Sequence, residues 1–164
     1  MTHEPTPATM GGPRLVALAE QIATDAHAGQ TDKAGNPYIT HPARVAAKCE
    51  QAYGDPKTVM VAWLHDVVED TPVTLDDLLE AGFPEDVVQA VAVITHRLNE
   101  PRLAYYDRVR RNPLALLVKL ADIADNADPE RLALIDDETT RERLRVKYVN
   151  ALNALGRTRA DLPQ

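Results

Sequence analysis

Two imidazoles and two carboxylates stand where their charge is hardest to accommodate. His65 and Asp66 interrupt the run Val59-Met60-Val61-Ala62-Trp63-Leu64-His65-Asp66-Val67-Val68-Glu69-Asp70-Thr71. A charged pair inside an apolar, helix-like run is costly to bury unless something compensates it. A divalent cation would do so. The chain offers two more ligands in suitable settings: His41, opening a helix ahead of Pro42, and Asp122, at the end of Leu116-Leu117-Val118-Lys119-Leu120-Ala121-Asp122. Together they read as a His…His-Asp…Asp metal centre, which makes metal-assisted hydrolysis the leading chemistry.

The spacing supports convergence. His65 and Glu69 are four residues apart, as are Asp66 and Asp70, so each pair stacks on one helix face. Neighbouring positions differ by about 100° around a helix. His65 and Asp66 can therefore both reach a cation lying over the edge between them, with Glu69 and Asp70 one turn further along. Asp122 and Asn126 repeat the four-residue spacing. The mixed donor set suits Mn, Fe, Co, Ni or Zn. Four protein ligands leave open positions only at coordination five or six, which favours an octahedral ion such as Mn²⁺ over structural zinc. Each residue has a plainer alternative. His41 could be a capping or packing residue, His65-Asp66 a helix-surface pair, and Asp122 a salt-bridge partner of Lys119.

Positioning these groups requires helices. Leu15, Leu18, Ala19, Ile22, Ala23 and Ala26 recur at helical spacing over 14–28. Residues 29–40 form a loop through Asp32-Lys33-Ala34-Gly35-Asn36-Pro37. Thr40 is the expected N-cap of a helix to about Ala52, with Pro42 in its first turn. Gly54-Asp55-Pro56 breaks it, and the next helix runs from Pro56 to Asp70-Thr71-Pro72. Shorter helices follow over 74–82, 84–96 and 103–111. Asn112-Pro113 starts the helix through Asn126, and a long helix spans Asp137–Leu155, with Gly156 at its C′ position. The fold class expected is all-α, a single-domain helical bundle. Residues 1–13, rich in Thr, Pro and Gly, are expected to be a disordered lead-in, 14–156 the folded domain, and 157–164 a flexible tail.

Composition narrows the partners. The 164 residues suit one domain. At 45% hydrophobic and 4% aromatic, the apolar mass is mostly Ala, Val, Leu and Ile, which favours packed helices. A net charge of −7 leaves no global basic field for a nucleic-acid backbone. A small anionic substrate held by a metal and local cations remains compatible. The one cysteine, Cys49, forms no intramolecular disulfide and no cysteine zinc site; it is expected to be a buried small hydrophobe in a reducing, cytoplasmic setting. No apolar run approaches a membrane span.

The motifs resemble a known family. His41, His65-Asp66 and Asp122 match the pattern of the HD superfamily of metal-dependent phosphohydrolases. Ala26-His27-Ala28-Gly29-Gln30, Lys33-Ala34-Gly35-Asn36-Pro37-Tyr38-Ile39-Thr40-His41-Pro42, Ala62–Thr71 and Val118-Lys119-Leu120-Ala121-Asp122 resemble the hydrolase domain of RelA/SpoT-type alarmone enzymes over roughly 15–155. The resemblance implies an HD-fold hydrolase with one Mn²⁺ on His41, His65, Asp66 and Asp122. It implies that Glu69 and Asp70 position and deprotonate the attacking water, and that Lys33 and Asn126 contact substrate. The implied reaction is removal of pyrophosphate from the 3′ position of guanosine tetra- or pentaphosphate.

Two departures stand out. The family usually has Arg-Lys where this chain has Asp32-Lys33, and an acid cannot supply the same cationic stack. It usually reads Arg-Leu-His-Asn where this chain has Ile123-Ala124-Asp125-Asn126, so one cation and one imidazole near the substrate are gone. Two other activities therefore stay open: an HD-type nucleoside 5′-monophosphate phosphatase, and a non-catalytic nucleotide-sensing module. Arg97 is a candidate phosphate contact, or else a solvated helix-terminal charge. His27 suits a packing or supporting role, with a second metal as the alternative. Trp63, Tyr105, Tyr106 and Tyr148 read as core. The chain could be monomer or homodimer.

Overall fold

The computed structural model describes residues 11–164. Of the expected lead-in, residues 1–10 lie outside the described residues, while Gly12 and Pro13 already form the first turn of α1 (Gly12–Ala26). The architecture is all-α, and among the described residues the only β feature is an isolated bridge between Thr31 and Pro37. No helix among them is long and apolar enough to cross a membrane.

The centre of the bundle is α3 (Pro56–Leu64). Asp55 caps it by accepting from the Lys57 N–H at 3.2 Å, and Pro56 occupies N1. Thr58, Val59, Met60, Val61, Ala62 and Leu64 are all buried. A helix apolar on every side must be surrounded, and α3 packs against α1, α2 (Thr40–Tyr53), α6 (Glu85–Ile94) and α8 (Pro113–Asn126). Gly54 ends α2 at φ 64°, a left-handed turn that a side chain would strain. Cys49 is fully buried on α2, and burial pushes its thiol up to about 12.

Two local expectations need correction. Thr40 does not cap α2. Its hydroxyl donates to the Pro37 carbonyl at 2.8 Å, and the helix starts at Thr40 itself, after Ile39 in helical conformation. The helix expected from Pro56 to Asp70 is broken at the His-Asp pair. His65 and Asp66 separate α3 from the single turn α4 (Val67–Asp70). The cause is local. His65 Nδ1 takes the Ala62 carbonyl at 2.6 Å, so a side chain competes for a main-chain acceptor.

The remaining helices close the walls. A capping box of Thr74 and Asp77 starts α5 (Leu75–Glu80). Arg108 on α7 (Arg102–Arg110) donates to the carbonyls of Ala92, Val93 and Thr95 and pairs with Glu100 at 2.6 Å. That clamp caps the end of α6 and fixes the loop carrying His96 and Arg97. Asn112 caps α8 through the Ala115 N–H. The turn α9 (Pro129–Leu132) leads to α10 (Glu138–Ala154), which buries only Ala151 and Leu152 along its length. The expected flexible tail contains a one-turn 3₁₀ helix, Arg159–Asp161, with its own capping box, and Leu162 packs against the core.

Candidate metal centre

The break after α3 turns His65 into the bundle, where it is 3% exposed. With Nδ1–H donated to Ala62, the lone pair of the neutral ring lies on Nε2. That atom is buried and has no hydrogen-bond partner. It lies 3.1 Å from Asp66 Oδ2 and 3.6 Å from Asp122 Oδ1. The first turn of α2 brings in His41, whose Nε2 is 2.9 Å from Asp122 Oδ1 and 3.8 Å from Asp66 Oδ2. One ligand atom each from His41, His65 and Asp66 lies within 4.8 Å of the others. Two imidazole nitrogens and two carboxylates thus converge, and an unpartnered buried ring nitrogen is the atom such a set needs. The residues fit a divalent cation.

Asp122 also makes the ion pair that was the alternative reading for it. Lys119 Nζ sits 3.0 Å from Asp122 Oδ2 and 5.4 Å from the Tyr105 ring centroid, while Asn126 donates to Oδ1 at 3.0 Å. The ion pair takes Oδ2, while Oδ1 faces His41, His65 and Asn126. Burial opposes the charge on Lys119, but Asp122 outweighs it and holds the ammonium well above the ordinary lysine range. Burial likewise opposes ionisation of Asp122, but Lys119 and the two imidazoles hold its carboxyl well below its usual value. Burial opposes and His65 favours ionisation of Asp66, whose carboxyl falls to about 2. Burial works against charged His41 and His65; the facing carboxylates outweigh it and raise both.

Glu69 and Asp70 lie beside Asp66, with one oxygen from each of the three within 4.8 Å of the others. Burial pushes both carboxyls up, with Asp66 adding to the effect. Glu69 Oε1 accepts the His96 N–H at 2.6 Å, which opposes the rise and fixes the side chain. Tyr38 donates its hydroxyl to Asp66 Oδ2 at 2.6 Å. His27 packs against Tyr38, ring centroids 5.0 Å apart, and shares Gln30 with the Asp70 carbonyl through bonds of 2.8 and 3.1 Å.

Two clefts meet over the centre. The larger, about 850 Å³, is lined by Lys33, Asn126, Arg131, Leu144 and Tyr148. The smaller, about 710 Å³, is lined by His96, Arg97, Arg102, Tyr105 and Lys119. Asp66, Glu69 and Lys147 line both. Lys33 and Asn126 therefore share one chamber, while Arg97 stands in the other, beyond the end of α6. Tyr148, expected in the core, also faces the larger cleft, while Tyr105 and Tyr106 are buried as expected and touch the smaller one only at its floor.

Asp32 lines the larger cleft, but one of its oxygens is committed to its own turn. Its Oδ1 accepts the N–H groups of Ala34 and Asn36, both at 2.9 Å, in a turn that needs Gly35 at φ 84°. Sequence reasoning missed Tyr38, Lys147, and the contact of Asp125 with His41 Nδ1 at 2.7 Å. For Asp125 a signal existed. It lies three residues after Asp122, so two carboxylates share one face of an apolar helix.

The chain is similar to known proteins in sequence and fold. The HD domain family model matches residues 19–140. The bifunctional (p)ppGpp synthase/hydrolase SpoT of Escherichia coli K12 is 37% identical over 116 residues, covering 64% of this chain. The guanosine-3′,5′-bis(diphosphate) 3′-pyrophosphohydrolase of Haemophilus influenzae is 38% identical over 115 residues, covering 64% of this chain. The chain spans 16% and 17% of the length of those two relatives. A solved structure from work on a metazoan SpoT ortholog, which hydrolyses ppGpp, superposes with a TM-score of 0.74. It is 24% identical, and the match covers 94% of this chain and 88% of the other.

Proposed function

The chain belongs to the HD domain family, and on that footing we propose that it is a metal-dependent phosphohydrolase that removes pyrophosphate from the 3′ position of a guanosine polyphosphate. The observation that carries the reading is the buried, unpartnered Nε2 of His65, facing Asp66 and Asp122 where two clefts join. His41, His65, Asp66 and Asp122 would hold the cation; four protein ligands with positions left open suit an octahedral ion such as Mn²⁺. A cation held by these four residues would supply positive charge to polarise a phosphoryl oxygen.

The remaining work falls to the chain. Glu69 has Oε1 fixed by the His96 N–H, which leaves Oε2 to take the proton of the attacking water. Its raised pKa makes it a better base than an exposed carboxylate. Asp70 adds negative charge beside it and keeps that proton affinity high. Lys33 and Asn126 bind the nucleoside side of the substrate in the larger cleft. Arg97 and Lys147 meet phosphate oxygens from the smaller one, and Lys119 stays charged beneath them. The setting is cytoplasmic and the partner a small phosphorylated nucleotide.

The test is a panel of guanosine and adenosine nucleotides incubated with Mn²⁺, with phosphate and pyrophosphate release measured separately. Pyrophosphate from the 3′-pyrophosphorylated guanosine nucleotides is the expected result. Phosphate from 5′-monophosphates instead would assign the monophosphatase activity. Binding of nucleotides without turnover of any would overturn the enzymatic reading.

A further inference from the structure

We propose that Asp125 is a positioning residue which, clamped by Arg44 and Arg131, fixes the His41 ring in the orientation and tautomer that present Nε2 to a cation. The inference rests on the metal-centre reading and adds to it a role for one more residue. Asp125 is 1% exposed. Its Oδ2 accepts from His41 Nδ1 at 2.7 Å and from Arg131 Nη1 at 2.8 Å, and its Oδ1 accepts from Arg44 Nε at 2.8 Å. Arg131 also donates to the Asp125 main-chain carbonyl at 3.2 Å.

A carboxylate only accepts hydrogen bonds, so the nitrogen facing it must carry the proton. In the structure both ring nitrogens of His41 face carboxylates, Nδ1 on Asp125 at 2.7 Å and Nε2 on Asp122 at 2.9 Å; Asp125, which has no other role at the centre, keeps the proton on Nδ1 when Nε2 turns its lone pair to a cation. Ligating imidazoles commonly need such a partner on the far nitrogen, and losing it typically costs about 10–100-fold in metal affinity. The two arginines make a buried carboxylate tenable, since a buried charge must be paired. They come from separate elements, α2 and α9, so the orientation of one ligand depends on three helices. The family resemblance puts an imidazole where Asp125 stands. A neutral imidazole has one acceptor nitrogen and could not serve three donors. The departure is therefore a different solution for holding His41.

The test uses Mn²⁺ titration calorimetry on the full chain and ¹⁵N NMR of the His41 ring in metal-free protein at alkaline pH, where the ring is neutral. Asp125→Asn offers one acceptor oxygen to three donors, and Mn²⁺ binding should weaken at least about 10-fold. Because Asn also leaves two unopposed arginines, the double variant Asp125→Asn/Arg131→Gln restores the local charge. Binding that stays weak in the double variant supports positioning, and recovery to wild-type affinity overturns it in favour of simple charge. The wild-type ring should show the Nδ1–H tautomer, and the Nε2–H form would overturn the proposal even if the variants fail to fold. Wild-type protein that binds no Mn²⁺ would sink the metal centre itself. Wild-type binding together with unchanged affinity in Asp125→Asn would sink this inference alone.

Discussion

Replacing Lys119 with Met deletes one charge while keeping an unbranched apolar stem, and its cost can be worked from the centre. The side chains of Lys119 and Asp122 are 17% and 9% exposed, and their charged atoms are 3.0 Å apart. Removing one member of a buried pair costs about 3–5 kcal/mol, because the other is left uncompensated. Asp122 Oδ1 keeps its bonds to His41 and Asn126, which puts the expectation near the lower end, about 3 kcal/mol. In a domain of this size each kcal/mol shifts the melting temperature by about 2–4 °C, so metal-free Lys119→Met should melt about 6–12 °C below wild type. Differential scanning calorimetry at pH 7 with chelator measures this. The raised lysine contributes fully below its unfolded value of 10.5, so ordinary buffers lie inside the window. With Mn²⁺ present the deficit should shrink, since the cation neutralises the same carboxylate. A metal-free variant melting within about 2 °C of wild type would refute the reasoning, because Asp122 would then be tolerated in the core without its ammonium.

His65→Ala or Asp66→Ala should abolish Mn²⁺ binding and activity together, read by elemental analysis and pyrophosphate release on the same preparation; retained metal would remove either residue from the ligand set. Glu69→Gln should keep its metal and lose about 10²–10⁴ in rate, checked by kcat against calorimetric affinity. In metal-free protein, His41 and His65 are raised, so their stabilisation is complete below 6.5 and is lost as pH rises through their folded values. Asp66 and Asp122 are lowered, so theirs is present above 3.8 and lost as pH falls through their folded values. Melting temperature followed against pH should therefore peak between those limits, and Mn²⁺ affinity should climb with pH as the imidazoles shed protons.

The helical class and nearly every break were legible, because Gly54-Asp55-Pro56, Asn112-Pro113 and Gly156 are local signals whose physics does not depend on what packs nearby. The convergence of His41, His65, Asp66 and Asp122 was legible for a related reason: a charge in an apolar run has few tolerable fates. The interruption at His65 was not, because nothing in the spacing tells that an imidazole will take the carbonyl three residues back. The contacts of Asp32 and Asp125 were hidden in the same way. Each departs from the family pattern as read, but that one closes its own turn and the other accepts from His41 appears only in the fold. Which donors a carboxylate meets is a tertiary fact. Arg44, Arg131 and Tyr38 come from elements that only folding brings together with Asp125 and Asp66.

The long helix α10 buries only Ala151 and Leu152, while Thr140, Leu144, Lys147 and Tyr148 on its earlier turns form one side of the larger cleft. Tolerance to change is therefore unevenly distributed. The inner helix α3, which ends against His65, is buried on nearly every side and locked by its neighbours. The outer one, Tyr148 apart, can exchange side chains facing the cleft at little cost to folding, so selection could reshape the cleft wall while leaving His41, His65, Asp66 and Asp122 in place.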